Sequence, residues 1–405
     1  MIKGNATDPR IFPWNNDRDP SQIDRVTEMT GDVTLNQEKL YELGRTLKLG
    51  VHKLTPSCPT TLTQNEYGSM AFWRDLANIE DPASGALDES VDLDDLKSTK
   101  FDISAYMTDE DGTFKGTAYF PKQRLSGFSI NIADPDAMVI RSFDLAGEQC
   151  RIIKDNYLAF EKKTATIAIE TVTLTPSPIE YAAGKYIYRV LRVRSGVVSE
   201  LIEDATSLYA DNTWRYSAGT VIVQTCVAGD VIKVFYAAAT AYATLWTDND
   251  SDETALYADQ CTIYLKVAAG VDQQVYRLQS VGIDAVLERA DYKEIGSTEI
   301  VQTGVKSKTV TVTLGRILED FTIEEILGNI GAYKDINVEN LVDTITLTVK
   351  IYTDNTKTTF KMGYKITGLS PTALKPLGAT PEEMDTADVT MESDNFLCTV
   401  VESEL

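Results

Sequence analysis

Apolar and polar positions alternate along much of this chain in short runs bounded by turn residues. Phe101-Asp102-Ile103-Ser104-Ala105-Tyr106 and Thr344-Ile345-Thr346-Leu347-Thr348-Val349-Lys350-Ile351-Tyr352 place an apolar side chain at every second position, the period of a strand with one buried face. Thr60-Thr61-Leu62-Thr63 and Val310-Thr311-Val312-Thr313-Leu314 add β-branched runs suited to strands. Asp109-Glu110-Asp111-Gly112 predicts a tight hairpin after the first alternating run, and Thr353-Asp354-Asn355-Thr356 a polar one after the second. Helical spacing is confined to two places. Leu318, Phe321, Ile326 and Leu327 form one stripe, with Thr322 and Glu325 as a capping box and Gly328 as a stop; Tyr67, Met70, Phe72, Trp73 and Leu76 form another without so clean a cap.

These elements recur in order. Residues 101–147 lie over 347–393 at an offset of 246, pairing Tyr106 with Tyr352, Thr113-Phe114-Lys115 with Thr359-Phe360-Lys361, Phe143 with Val389 and Leu145 with Met391. Residues 63–78 lie over 314–329 at 251, and 23–45 over 275–297 at 252, pairing Arg25 with Arg277, Asp32 with Asp284, Leu35 with Leu287 and the glycines Gly44 and Gly296. Duplication followed by small loop indels leaves this pattern, although two unrelated β-domains aligned by coincidence would be the plainer account. Between helix and strand the first copy carries an acidic loop with Asp88, Glu89, Asp92, Asp94 and Asp95, against a shorter 336–340 in the second. It reads as a solvated loop, or, through Val91 and Leu93, as an edge strand added to a neighbour.

Residues 164–247 have no counterpart in the other copy. They hold Ile167-Ala168-Ile169, Tyr186 to Val190, Thr220 to Val223 and Val231 to Tyr236, separated by Pro and Gly turns, which predicts a small inserted sandwich of immunoglobulin-like size. The expected organisation is an arm at 1–22, a first repeat at 23–160, the insert at 164–247 and a second repeat at 259–405. The fold class is mainly β, two tandem sandwich or barrel domains with one short helix per repeat. The arm, with Ile11, Phe12 and Trp14 as its sizeable apolar residues, is not expected to be a fold element by itself.

Composition narrows the function. Lys+Arg total 38 against Asp+Glu 61, a formal net charge of −23, so nonspecific binding to phosphate backbones is disfavoured. No run is apolar enough to span a bilayer and the first residues carry no secretory pattern, so membrane insertion is not expected and the chain is expected in the cytoplasm where it is made. Five scattered cysteines without a CxxC pair read as reduced, buried small residues. One histidine, His52, leaves no histidine triad or metal cluster, and nucleotide and hydrolase signatures are missing, so neither enzyme chemistry nor a cofactor is expected. Asp248-Asn249-Asp250-Ser251-Asp252 matches half of a calcium loop, but Glu253 stands where the glycine belongs, which favours a solvated linker.

The order strand, glycine elbow, strand, short helix, acidic loop, long hairpin, then Leu377-Gly378-Ala379-Thr380-Pro381-Glu382-Glu383-Met384 and a closing alternating strand resembles the tail tube proteins of long-tailed phages and related archaeal viruses. The resemblance covers about residues 23–153 and 275–401. It implies a major tail protein of the siphovirus type with two tube domains per chain, three chains forming a pseudo-hexameric ring. Rings would stack into a hollow tube in the virion, assembled in the host cytoplasm, with inner sheets joined around the DNA channel. Implied partners are copies of the chain, a tape measure protein, tail terminator or baseplate proteins, and viral DNA that passes without specific binding. The rival reading is a surface adhesin binding glycans through the insert.

Strand alternation then nominates a channel face. With Ile345, Leu347, Val349 and Ile351 packed inward, Thr344, Thr346, Thr348, Lys350 and Tyr352 face water; with Phe101, Ile103 and Ala105 packed, Asp102, Ser104 and Tyr106 do. Asp88, Glu89, Asp92, Asp94 and Asp95 are the candidate contacts between subunits or rings.

Overall fold

The computed structural model describes residues 8–14, 19–40, 50–53, 56–79, 88–97, 99–180, 186–204, 211–240, 254–267, 270–295, 300–317, 321–328, 341–342, 344–378 and 386–401. Gly44, Gly296, the second acidic loop at 336–340, the aspartate run at 248–252 and positions 379–384 lie outside the described residues.

The protein is mainly β, and its strands pair in one scheme used twice. In the first half, Val26–Gly31 pairs with Thr60–Asn65, which pairs with Ile140–Ala146, then Phe114–Ile132, then Phe101–Thr108, then Asp8–Pro13. The second half follows the same route through Leu278–Lys293, Ile300–Ile317, Thr386–Ser393, Phe360–Gly378, Ile345–Tyr352 and Cys261–Val267. Local irregularities match as well. A register shift between Val26 and Glu28 answers one between Leu278 and Ser280. Just before them Arg25 and Arg277 both adopt positive φ, 55° and 63°. Their carbonyls accept from Asn65 N at 3.2 Å and Ile317 N at 3.4 Å. A non-glycine residue rarely takes that conformation, so its use at both places marks them as equivalent.

The registers also correct the alignment. Shifts at Phe101/Ile103 and Met107/Thr108 match those at Ile345/Leu347 and Ile351/Tyr352, so Phe101 corresponds to Ile345 and Thr108, not Tyr106, to Tyr352. The loop Asp109 to Thr113 is two residues shorter than Thr353 to Thr359, so the expected offset of 246 holds only after the hairpin. Leu62 opposes Phe143 as Leu314 opposes Val389, an offset of 252 in this strand, while the helices Ala71–Ala77 and Thr322–Gly328 stand at 251.

Two long strands bend to serve two sheets each. Phe114–Ile132 and Phe360–Gly378 pair at one end with the outer strands and at the other with the central ones. Phe114–Ile132 also pairs with Leu278–Lys293, from Val281↔Ile132 to Val286↔Gly127, and this seam joins the halves. Val26–Gly31, Thr60–Asn65, Ile140–Ala146, Phe114–Ile132, Leu278–Lys293, Ile300–Ile317, Thr386–Ser393 and Phe360–Gly378 therefore form one continuous antiparallel sheet. A single apolar core lies between it and the outer sheets of both halves, including Leu62, Phe128, Ile283, Leu314, Ile103 and Leu347.

Residues 8–13 are not an arm. They form a strand between Phe101–Thr108 and the short Ser21–Gln22, with Ile11 and Phe12 buried, followed by buried Trp14. Asp88–Asp92, read as a solvated loop or as an edge strand added to a neighbour, is a strand, paired with Leu397–Val401 of the other half of the same chain, and a one-turn helix, Leu93–Leu96, follows it. The small sandwich consists of two four-stranded sheets spanning Tyr157 to Ala238, beginning ahead of the expected boundary. Their inner side chains, among them Val172, Val190, Trp214, Val221 and Ile232, share one cluster. Ile167 and Ile169, expected in a strand, are exposed in a bend, because the strand begins at Glu170, whose carboxylate accepts from Thr166 N at 2.8 Å.

Candidate functional site

The side chains nominated for the channel are not where alternation alone placed them. Parity is as expected: Phe101, Ile103, Leu347 and Val349 are buried in the main core. However, Phe101–Thr108 and Ile345–Tyr352 belong to the outer sheets. Asp102 and Ser104 are fully buried and Tyr106 nearly so, because the small sandwich covers that face. Asp102 accepts from Trp14 Nε1 at 2.7 Å, Tyr119 OH at 2.5 Å and Lys122 N at 2.9 Å, and its two oxygens take Arg189 Nη1 at 2.8 and 3.1 Å. Burial by itself would lower the Arg189 guanidinium, yet the neighbouring Asp102, Tyr119 and Glu200 hold it above its ordinary value. Arg189 also lies 4.7 Å from the Trp14 ring, and Lys233 Nζ donates to Pro13 O at 2.7 Å. With Phe12, Tyr119, Phe160 and Phe235 packed beside it, this buried polar knot anchors the sandwich on the first half's outer sheet, on the face turned away from the main core. Tyr106 donates to Leu158 O at 3.2 Å, and burial pushes its phenol up.

In the second half Thr344 is exposed, Thr346 and Lys350 are half-buried, and Thr348 and Tyr352 are buried. Lys350 Nζ sits 5.3 Å from the Tyr264 ring, and Thr262 Oγ1 donates to Tyr352 OH at 3.4 Å, so local side chains cover most of this face.

The face that remains open belongs to the central sheet. Its core-facing positions, such as Val281, Ile283, Ala285 and Leu287, alternate with Asp284, Val286 and Glu288 on the other side. Thr61, Thr63, Ser129, Ser142, Asp144, Thr311 and Thr313 share that side by register. Thr61 donates to Asp144 at 3.0 Å, and Thr63 and Ser142 lie 3.1 Å apart. Partial desolvation, then the charge of Asp144, raises the Asp284 carboxyl above its ordinary value. A broad sheet face of hydroxyls and carboxylates thus crosses both halves. Alternation in Ile140–Ala146 and Leu278–Lys293 signals it: Ser142 and Asp144 lie opposite in parity to the apolar Phe143 and Leu145.

A second buried knot holds the seam. Arg141 Nη1 donates to both oxygens of Glu66 at 3.2 Å, and Glu66 also accepts from Tyr67 N and Gly68 N at 3.0 Å and from the hydroxyl of Tyr364 in the other half. Trp73 packs on Phe128, Phe143 and Phe396 with centroids 5.1, 4.9 and 5.8 Å away, which carries the first helix across to the second half.

Of the acidic set, Asp92 and Asp95 close a capping box on Leu93–Leu96, and Asp94 pairs with Lys97 at 3.2 Å and Lys308 at 2.8 Å. Asp88 and Glu89 lie in the strand paired with Leu397–Val401. The segment thus bridges the two halves of one chain. Four of the five cysteines are buried, as expected, and all five are unpaired. Among the described residues no cluster is arranged to hold a metal ion, and no helix is long and apolar enough to cross a membrane.

No family model matches the chain, and no curated protein matches it in sequence.

Proposed function

We propose that this chain is a structural virion subunit that assembles into rings stacked as a hollow tail tube. The observation carrying this reading is the central sheet: eight antiparallel strands run through two equivalent halves, apolar on one face and hydroxylated and acidic on the other. Closed into a barrel with further copies, that polar face lines a bore. A wall of Thr61, Ser129, Ser142, Asp144 and Asp284 with few basic groups repels a polyanion weakly everywhere and holds it nowhere, which suits passage of DNA. Two tube units per chain give three chains per pseudo-hexameric ring. The small sandwich, anchored through Asp102 and Arg189 on the sheet away from the polar face, decorates the outside of the tube. Closure also pairs the edge strands that a lone chain leaves open to aggregation.

Negative-stain micrographs of the purified protein test this. Rings or hollow tubes are the expected result. Monomers or solid fibres would overturn it in favour of a surface adhesin.

A further inference from the structure

We infer that copies of this chain join by repeating, in register, the seam that joins its own two halves, with Phe321 of one copy seated on Ala118 and Ile152 of the next. The inference rests on the assembling-subunit reading above, and supplies the surface through which assembly occurs.

Within the chain the seam has two parts. In the sheet, Val281 to Val286 pair with Ile132 to Gly127. Above the sheet, Met70 Sδ meets Cys398 Sγ at 3.6 Å, and Cys398 is the cross-strand neighbour of Tyr364. Each participant has an equivalent fixed by register in the other half. Met70 corresponds to Phe321, since Arg74 N donates to Met70 O just as Glu325 N donates to Phe321 O, both at 2.8 Å. Cys398 opposite Tyr364 corresponds to Ile152 opposite Ala118.

The internal set is covered and the equivalent set is bare. Ala285, Leu287, Met70 and Cys398 are 0%, 1%, 2% and 0% exposed. Their counterparts Val33, Leu35, Phe321 and Ile152 are 48%, 69%, 55% and 67% exposed. Scattered exposed apolar residues need no explanation, but these four fall on the two surfaces that a repeated seam would bring together. The strand edges agree. Among the described residues, Val26–Gly31 pairs only with Thr60–Asn65, and the 373–378 end of Phe360–Gly378 only with Thr386–Ser393.

Shape and charge complement each other across the proposed contact. Ala118 replaces Tyr364, which helps leave a groove of about 380 Å³ lined also by Pro9, Met29, Gly31 and Phe120. Phe321, bulkier than Met70, is the side chain offered to it. Carrying the internal register over places Met29 opposite Gly378, Val33 opposite Leu374, and Asp32 opposite Lys375, an opposite-charge pair where the internal seam has Asp284 opposite Ser129.

The test joins cysteine crosslinking to a charge swap. In a full-length Val33→Cys/Leu374→Cys variant, mild oxidation should yield covalent oligomers that close at the ring size; each single variant and the unsubstituted chain should not. Cross-strand neighbours approach within disulfide range, so Val33→Cys with Lys375→Cys, one residue out of register, should crosslink less. Phe321→Asp and Ile152→Asp should each raise the concentration needed for assembly by roughly tenfold or more, leaving the melting of the monomer unchanged because both side chains are exposed there. Adding Ile152→Lys to Phe321→Asp should restore assembly. Rings or tubes that form without the crosslink and tolerate Phe321→Asp would overturn this interface while leaving the tube reading intact. Closed crosslinked rings that never stack into tubes would support the interface and remove the tube reading. A chain that stays monomeric and uncrosslinked would remove both.

Discussion

The two halves share a strand scheme but are finished differently. The first half's outer sheet carries the small sandwich on one face and small residues such as Pro9, Ala105 and Ala118 towards its groove. In the second half Ile263, Val349 and Tyr364 occupy those places and are buried with the first half's helix and Phe396. A buried arginine has moved as well. Arg141 opposes Gln64 in the first half, while in the second Ala387 stands at the place of Arg141 and Arg316 at the place of Gln64, now paired with Glu324. The guanidinium has crossed to the neighbouring strand, and at this place in both halves a buried arginine is paired with a carboxylate. The backbone pairing is therefore the constrained feature, and side chains are free to diverge wherever one half has a covered site and the other a bare one.

That difference is open to breakage at its strongest points first. Replacing Arg141 with Leu strands Glu66 in a fully buried site, and breaking such a pair costs about 3–5 kcal/mol, measurable by urea denaturation. If Arg141→Leu cost no more than an exposed substitution, the seam would not depend on this knot. Asp102→Ala leaves Arg189 buried without its main partner, and a cost of about 3 kcal/mol is expected. Because Asp102 ties the small sandwich to the body, limited proteolysis should cut near its boundaries in this variant before the body unfolds. Simultaneous loss of both would mean that the sandwich is not a separately anchored unit.

The contrast between these sites and the strands around them shows what could be read from sequence. Alternation placed Ile103, Leu347 and Val349 correctly, and the Asp-Gly hairpin formed as expected, with Gly112 at φ 77° and Gly112 N donating to Asp109 O at 3.1 Å. A period of two reports which side chains share a face, but not which sheet a strand joins. Asp102 therefore had the right parity and the wrong environment: its partners Trp14 and Arg189 lie 88 and 87 residues away. Asp8–Pro13 was hidden for a related reason. Its Ile11 faces the main core and its Phe12 the sandwich contact, so it does not alternate, and prolines at 9 and 13 argue against a strand except at an edge. The polar face of the central sheet was legible in Ser142, Asp144 and Asp284, but only once the bends of the long strands are known.

Smaller effects sharpen the comparison at the polar face. Because the Asp284 carboxyl is raised by desolvation and by Asp144, its charged form is disfavoured in the folded state, so its cost is absent at acid pH and develops as pH rises through its folded value. Asp284→Asn should accordingly stabilise the chain near neutral pH by a few tenths of a kcal/mol at most, about the range of a surface change, with no gain in acid. A loss of stability at neutral pH would show that the carboxylate makes a favourable contact instead.

The most direct measurement of the account is the symmetry of assembled particles seen end-on. Class averages should show an open bore surrounded by six similar lobes, with an outer knob on every second lobe, since each chain contributes two equivalent halves and one sandwich. Six knobs, one per lobe, or a density-filled centre would contradict the claim that one chain supplies two successive segments of a closed ring.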